Sequence, residues 1–332
     1  MTSVMERRPF IVAMIGGLSA VPLRAGAQQH GKILRRVGFL GNGSSNAGTE
    51  PFDAFRGGLR ELGWIEGQTL TIEYRWAGGH SERLPQLAAE LVEARSDIII
   101  VSGGVGVEAA RRATKQVPIV IAAILADPVA AGYVSSLARP GGNITGIAAE
   151  YEDIVTKELQ LLVEAIPGLS RLALLWNNVS ARRATAAAVV AAAEALGLKA
   201  RMLEVGQAAE FEAAFRTARD GRAQAIHVLP SPFFNFHRRL LVGLAQRYRL
   251  PAMYEFRDYV QDGGLMSYGV DLSAMYRRAA SYVDQILKGA KPGELPIERP
   301  STFEFAVNLK TAKALGLTIP QSLLLRADQV IE

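Results

Sequence analysis

The chain has 332 residues, 49% of them apolar, which is enough for two domains with cores of their own and excludes an intrinsically disordered chain. It has no cysteine, so disulfides, thiolate catalysis, cysteine-ligated zinc and a lipid-modified N-terminal cysteine are excluded. The formal charge of +5 falls to +3 (34 basic, 31 acidic residues) without the first 27 residues, too weak and too evenly spread to point to nucleic acid.

The N-terminus has a basic start at Arg7-Arg8, a short apolar stretch over Ile11–Leu23 and a small-x-small end at Ala25-Gly26-Ala27. These features predict an export signal over residues 1–27, and the Arg-Arg-x-Phe pattern is that of the twin-arginine route. The apolar stretch falls short of the ~20 residues that span a bilayer. The mature protein is therefore expected in the periplasm.

Past Gln28 the chain alternates between short apolar strands and helical periodicity. Strands are predicted at Val37–Leu40, Leu70–Tyr74, Ile98–Val101, Ile119–Ile124 and Ile144–Ile147. Phe52, Phe55, Leu59 and Leu62 mark the first helix, and Leu84, Leu87 and Leu91 the second. Further helices are predicted after Gly106 and over Val129–Leu137. The pattern then restarts with a helix at Asp153–Ala165 and strands at Leu172–Trp176, Ala200–Val205, Ala225–Leu229, Pro251–Tyr254 and Leu265–Tyr268. Helices lie between them at Ala181–Leu196, around Phe211 and Phe215, and after Phe234. Strand–helix alternation with apolar runs means parallel, doubly wound sheets, here two in tandem. The tail offers a helix (Ala274–Leu287), an extended Pro-rich piece (Pro292–Pro300), a strand (Phe303–Val307) and a helix after Asn308, and so is expected to cross back and complete both lobes.

In open α/β sheets ligands sit at the carboxyl ends of the strands, so the residues there are the candidates for binding. The first strand is followed by Asn42 and Ser44. The third is followed by Ser102, Gly103 and Gly104, which open a helix whose free N–H groups suit a carboxylate or a phosphate. The glycine spacing is not that of a dinucleotide fingerprint or a P-loop. Asp127 follows the fourth strand and reads either as a helix cap before Pro128 or as a partner for a ligand amine. In the second half the strand ends carry Trp176, Asn177, Ser231, Phe233, Tyr254, Glu255, Tyr268 and Asp271. Four aromatics at strand ends point to a cleft that receives an apolar or aromatic group, and Glu255 reads as a partner for an ammonium or as a surface carboxylate. No catalytic group is expected: there is no Gly-x-Ser-x-Gly elbow, and His30, His80, His227 and His237 have no metal-ligand spacing. His227, inside a predicted strand, reads as a buried imidazole with its hydrogen bonds satisfied.

The strings "GFLGNGSS", "SGGVGVEAARRAT", "ADPVAAGYVSSLARPGGNITGI", "GGLMSYGVD" and "YVDQILKGAKPGELPIERPSTFEFAVNLKTAKALGLTIP", with the export signal and the two-lobed order, resemble ABC-transporter substrate-binding proteins of the type I periplasmic binding fold, in particular the tryptophan/tyrosine-type subfamily. The resemblance covers nearly the whole mature chain, and the last string carries most of it. It implies two Rossmann-like lobes joined by three crossing segments: residues 33–148 plus about 272–292, and residues 149–271 plus about 293–332. It also implies that Ser102, Gly103 and Gly104 hold a ligand carboxylate, that Asp127 or Glu255 takes the amine, and that the aromatics cover the side chain. Val105-Gly106-Val107 stands where relatives often have Thr-Pro after the glycines, which removes one hydroxyl.

The expected function is thus a solute-binding component of an ABC importer, taking an aromatic or branched amino acid or a related acid. It needs no cofactor and no metal, hands the ligand to ABC permease membrane subunits, and is expected to be a monomer that binds no nucleic acid. The alternatives are an α/β enzyme acting on a similar small molecule, or a ligand-sensing subunit for a membrane receptor.

Overall fold

A computed structural model describes residues 34–43, 50–177 and 183–332. The predicted export signal and Ser44 lie outside the described residues.

The first half builds strands β1 (Arg35–Gly41), β2 (Leu70–Trp76), β3 (Ile98–Ser102), β4 (Ile119–Leu125) and β5 (Ile144–Ala149), with helices α1 (Glu50–Glu61), α2 (Leu84–Glu93) and α3 (Gly104–Ala113). The strands form one parallel sheet in the order β2-β1-β3-β4-β5. The central strands β3 and β4 are continuous apolar runs because helices cover both faces of the sheet. On α2, Leu84, Leu87, Ala88 and Leu91 fall on one stripe, and that stripe is the buried one.

The second half follows the same plan. Helix α4 (Tyr151–Ala165) leads to β6 (Arg171–Trp176), α5 (Arg183–Ala195), β7 (Lys199–Glu204), α6 (Phe211–Asp220), β8 (Ala225–Val228), α7 (Pro232–Phe236), α8 (Arg238–Arg247), β9 (Ala252–Tyr254), α9 (Arg257–Gln261) and β10 (Met266–Val270). The tail adds α10 (Leu272–Leu287), β11 (Phe303–Asn308), α11 (Leu309–Leu315), α12 (Gln321–Leu324) and β12 (Gln329–Ile331). The second sheet runs β12-β11-β10-β9-β8-β6-β7, with β11 antiparallel to β10 and every other pair parallel.

The crossings tie the lobes together. The chain passes from β5 to α4 at Glu150, and from β10 back to α10, which packs on α1 and against β4 and β5 of the first lobe. The segment after α10 stays with the first sheet: the Gly141 N–H donates to the Gly293 carbonyl (3.0 Å), and Ala148 and Glu298 bond across β5 (Ala148 N–H to the Glu298 carbonyl, 3.0 Å). The last crossing therefore lies at residues 299–302.

Two differences from the sequence pattern have local causes. The helix predicted over Val129–Leu137 is a single turn followed by bends: the Asp127 carboxylate accepts the N–H groups of Val129 (2.8 Å) and Ala130 (3.2 Å), and the turn closes by Gly132. Elements α9, α12 and β12, of three to five residues, are too short to show a period in the sequence.

Asp271, proposed for ligand binding, is the N-cap of α10: its Oδ1 accepts the Ala274 N–H at 2.9 Å, and its own N–H donates to the Thr302 carbonyl at 3.1 Å. Asp271→Ala should lower the stability by about 1 kcal/mol, read in a urea titration, and leave ligand affinity within error of the native protein. A large loss of affinity with unchanged stability would return Asp271 to the binding site.

Candidate functional site

Each lobe contains the same five-strand order, β2-β1-β3-β4-β5 in the first and β7-β6-β8-β9-β10 in the second. In each, the connections leave in opposite directions from one neighbouring pair, β1/β3 and β6/β8, and open a crevice at their carboxyl ends. Asn42 and Ser102-Gly103 stand at the first crevice, and Trp176-Asn177 and Ser231 at the second.

The two crevices belong to one junction. Gly103 adopts φ +75°, and a Cβ on it would lie 2.7 Å from Pro232 Cγ of the opposite lobe. A Cβ on Gly79 would lie 2.5 Å from the Phe236 ring. At both points only glycine lets the lobes approach this closely. On the other side of the junction, Arg257 pairs with Glu50 of the first lobe and with Glu304 at 2.8 Å. Beside the Gly79–Phe236 contact, an open groove of about 770 Å³ runs between the lobes. Val105, Glu108 and His80 line it from the first lobe, and Asn177, Gln207, Phe233 and His237 from the second.

The first-lobe side of the junction is a donor surface. Helix α3 starts at Gly104 with no side chain capping it, so its leading N–H groups face the crevice with the positive end of the helix dipole. The Ser102 hydroxyl, beside this turn, donates weakly to the Ala123 carbonyl (3.4 Å) and meets the Tyr276 hydroxyl from α10. Asn42 is buried; its Oδ1 accepts from Ser81 Oγ at 3.1 Å, and its Nδ2 has no partner among the described residues.

The second-lobe side is an acceptor surface. Glu255, 4% exposed, follows β9 and reaches the end of β8, where the Ser231 N–H donates to its carboxylate. Its Oε2 is buried without a hydrogen-bond partner among the described residues. Burial, and then the neighbouring Glu158 carboxylate, push the Glu255 carboxyl well above the ordinary carboxylate range. Glu158 on α4 is fully buried; its Oε2 accepts from the Tyr151 hydroxyl (2.9 Å) and lies 3.0 Å from His227 Nε2. His227 Nδ1 and Trp176 Nε1 are likewise buried and unpartnered among the described residues.

The residues expected from the sequence thus divide. Asn42, Ser102, Gly103, Gly104, Trp176, Asn177, Ser231, Phe233 and Glu255 come to the crevices or to the groove beside them. Asp127 spends its Oδ1 on the N–H groups of Val129 and Ala130, as a cap does. Tyr254 does not line the junction. Its ring is fully buried between the sheet and helices α8 and α9, stacked on Tyr259 (4.6 Å between centroids, 16° between planes). The strand alternation decides this: Met253 and Glu255 share the face toward α4, and Tyr254 takes the other. Tyr268 is half-buried and stacks on Phe303 of the adjacent antiparallel strand (6.0 Å, 7°). Sequence reasoning passed over Glu158, Tyr151 and Tyr276. Glu158 left a signal: Tyr151, Ile154, Val155, Leu162 and Ala165 form the buried stripe of α4, and Glu158 sits in it.

A family model described as ABC transporter substrate binding protein matches residues 44–331. The chain belongs to this family. It is similar to a tyrosine-binding protein of Clostridioides difficile, 24% identical over 262 residues that cover 78% of this chain and 74% of that relative. A solved ABC domain from Streptococcus pneumonia in complex with L-Trp is 26% identical with a TM-score of 0.82, covering 90% of this chain and 100% of that one. A conserved domain protein from Vibrio cholerae has a TM-score of 0.83 at 25% identity, covering 89% and 99% of the two chains. The two α/β lobes are those of the type I periplasmic binding fold, and the family's role is to bind small solutes and deliver them to ABC permeases.

The Tyr254 hydroxyl is buried without a partner among the described residues, so Tyr254→Phe should leave stability unchanged or raise it by up to about 1–3 kcal/mol, with ligand selectivity unaltered. A change in preference between aromatic and aliphatic ligands would put this ring back in the cleft. The folded protein holds the Glu255 proton to a higher pH than the unfolded chain does, so this group's contribution to stability is full at low pH and is lost as the pH rises through the folded value. Glu255→Gln cannot ionise. Its melting temperature relative to the native protein should therefore increase as the pH rises from the ordinary carboxylate range through the folded value, measured without ligand.

Proposed function

We propose that this protein is exported to the periplasm, carries no catalytic activity, and captures an α-amino acid with an aromatic or branched apolar side chain between its lobes. The observation that carries this reading is the opposition of charge at the junction. Uncapped helix N–H groups at the start of α3, from Gly104 on, stand on one lobe, and a buried carboxylate with an oxygen that has no partner among the described residues, Glu255, stands on the other, next to the Pro232 that touches Gly103. An α-carboxylate fits the first and an α-ammonium the second, so one zwitterion bridges the lobes and favours their closure. Glu255, rather than the capping carboxylate of Asp127, takes the ammonium. Trp176 and Phe233 stand beside this axis and cover the side chain; Phe233 is itself braced by Phe211 (5.4 Å) and His237 (4.9 Å). The tyrosine-binding relative and the L-Trp complex of the Streptococcus protein support an aromatic amino acid as the ligand. The Arg-Arg-x-Phe start supports export by the twin-arginine route.

The test is calorimetry with L-tyrosine, L-tryptophan and L-leucine, each against its carboxamide. The amino acids should bind, and loss of the carboxylate should cost roughly 2–4 kcal/mol, because a set of charge-assisted hydrogen bonds disappears. Small-angle scattering should show compaction on saturation with the acid only. Equal affinity for acid and amide would move the anion site away from Ser102-Gly103-Gly104.

A further inference from the structure

Behind Glu255 lies a charge problem that the binding of a zwitterion does not by itself resolve. Glu158, His227 and Glu255 are 0 to 4% exposed. His227 Nε2 lies 3.0 Å from Glu158 Oε2, and the same oxygen accepts from Tyr151. Among the described residues, neither carboxylate pairs with a lysine or an arginine. The other titratable groups that face the cluster are Tyr151 from α4, Tyr259 from α9 and Tyr268 from β10. Arg238 on α8 acts on Tyr259 but is paired with Asp262 at 2.8 Å. Among the described residues, two carboxyl groups thus face at most one imidazolium. With both ionised, the cluster would hold at least one buried charge that nothing compensates, and such a group takes up a proton instead. Among the described residues, three polar atoms in the cluster have no partner: Glu158 Oε1, His227 Nδ1 and Glu255 Oε2.

We propose that the Glu158–His227–Glu255 cluster holds a proton on the Glu255 carboxyl in the empty protein and exchanges it for the ammonium of the ligand, so that capture releases one proton to solvent. The proposal rests on the reading of the junction as an amino-acid site. The exchange balances. The O–H bond of the Glu255 carboxyl breaks, its proton passes to water, and the freed carboxylate accepts a hydrogen bond from the incoming N–H while the ligand keeps all three ammonium protons. The cluster's charge becomes more negative by one as the ligand brings one positive charge, and the buried region stays compensated. The upward push on the Glu255 carboxyl from burial and from Glu158 is what such an exchange needs. His227 is a positioning residue here: it holds the Glu158 carboxylate through Nε2 and so sets the field at Glu255.

The consequence is a binding strength that depends on pH in a defined direction. Affinity for an amino acid rises by up to tenfold per pH unit until the pH passes the value at which the empty cluster loses its proton. Calorimetry of the full protein with L-tyrosine near neutral pH, repeated in phosphate and in Tris, reads the proton count from the dependence of the heat on the buffer's ionisation enthalpy. The expected result is release of close to one proton, an affinity that climbs as the pH rises above the ordinary carboxylate range, and no release with 3-(4-hydroxyphenyl)propionate, which lacks the amine. Glu255→Gln should abolish the release and weaken L-tyrosine at least tenfold. Tight binding of L-tyrosine with no proton released would overturn the exchange and leave the amino-acid reading standing. The same release from the propionate, or an undiminished release in Glu255→Gln, would overturn it too. If neither L-tyrosine, L-tryptophan nor L-leucine binds, the amino-acid reading and the exchange fall together.

Discussion

A parallel sheet whose connections change direction part-way leaves a crevice at the carboxyl ends of the two strands where the change occurs, because no chain covers that point. The protein places two such crevices, at β1/β3 and β6/β8, against one another. The rest of the site depends on this. The crevice residues are on loops, free to carry polar groups, yet each loop is anchored by a strand buried on both faces. Gly103 and Gly79 then allow the loops of one lobe to touch Pro232 and Phe236 of the other. Three crossings join the lobes, and beside α10 the buried residues of both lobes form one continuous cluster.

The two faces of the junction have opposite electrical character for different reasons. The first lobe offers backbone N–H groups at a helix start, which need no ionisable side chain and act as a fixed partial positive charge. The second offers a carboxyl group taken out of water, where the charged form is expensive unless a cation arrives. A ligand with both an anionic and a cationic end satisfies both faces only when the lobes meet. Asn42 Nδ2, Trp176 Nε1 and Glu255 Oε2, without partners among the described residues, are polar atoms that such a ligand, or the water it displaces, would satisfy.

The aromatic residues sort by face rather than by position along the chain. Tyr254 ends its strand as Trp176 does, but alternation sends Tyr254 to the α8 side and Trp176 to the α4 side. Tyr268 is engaged by Phe303, a residue brought in by the tail's antiparallel strand. A further aromatic group in the first lobe, Phe39, Phe52, Tyr74 and Trp76, packs at the ends of β1 and β2 with centroids 4.8 to 6.4 Å apart and stiffens the strand that presents Asn42.

By itself the sequence determined the strand–helix alternation, the two tandem sheets, and the short list of loops at strand ends from which Ser102, Gly103, Asn177, Ser231 and Glu255 come. These are legible because burial on both faces and helical amphipathicity are local patterns, and because the carboxyl-end rule converts element order into position. Tertiary structure alone decided which of those residues meet. A period of two says that Tyr254 and Glu255 point to opposite faces, but only the packing of α4 and α8 says which face has the ligand crevice at its edge. Asp127 and Asp271 carry the same chemistry in the sequence as Glu255 does; they became caps because turns beside them offered N–H groups within 3.2 Å, whereas one oxygen of Glu255 finds no partner among the described residues. The Glu158–His227 pair joins residues 69 positions apart across a helix and a strand. No local pattern links them, since the contact exists only once the sheet and α4 close over the space between.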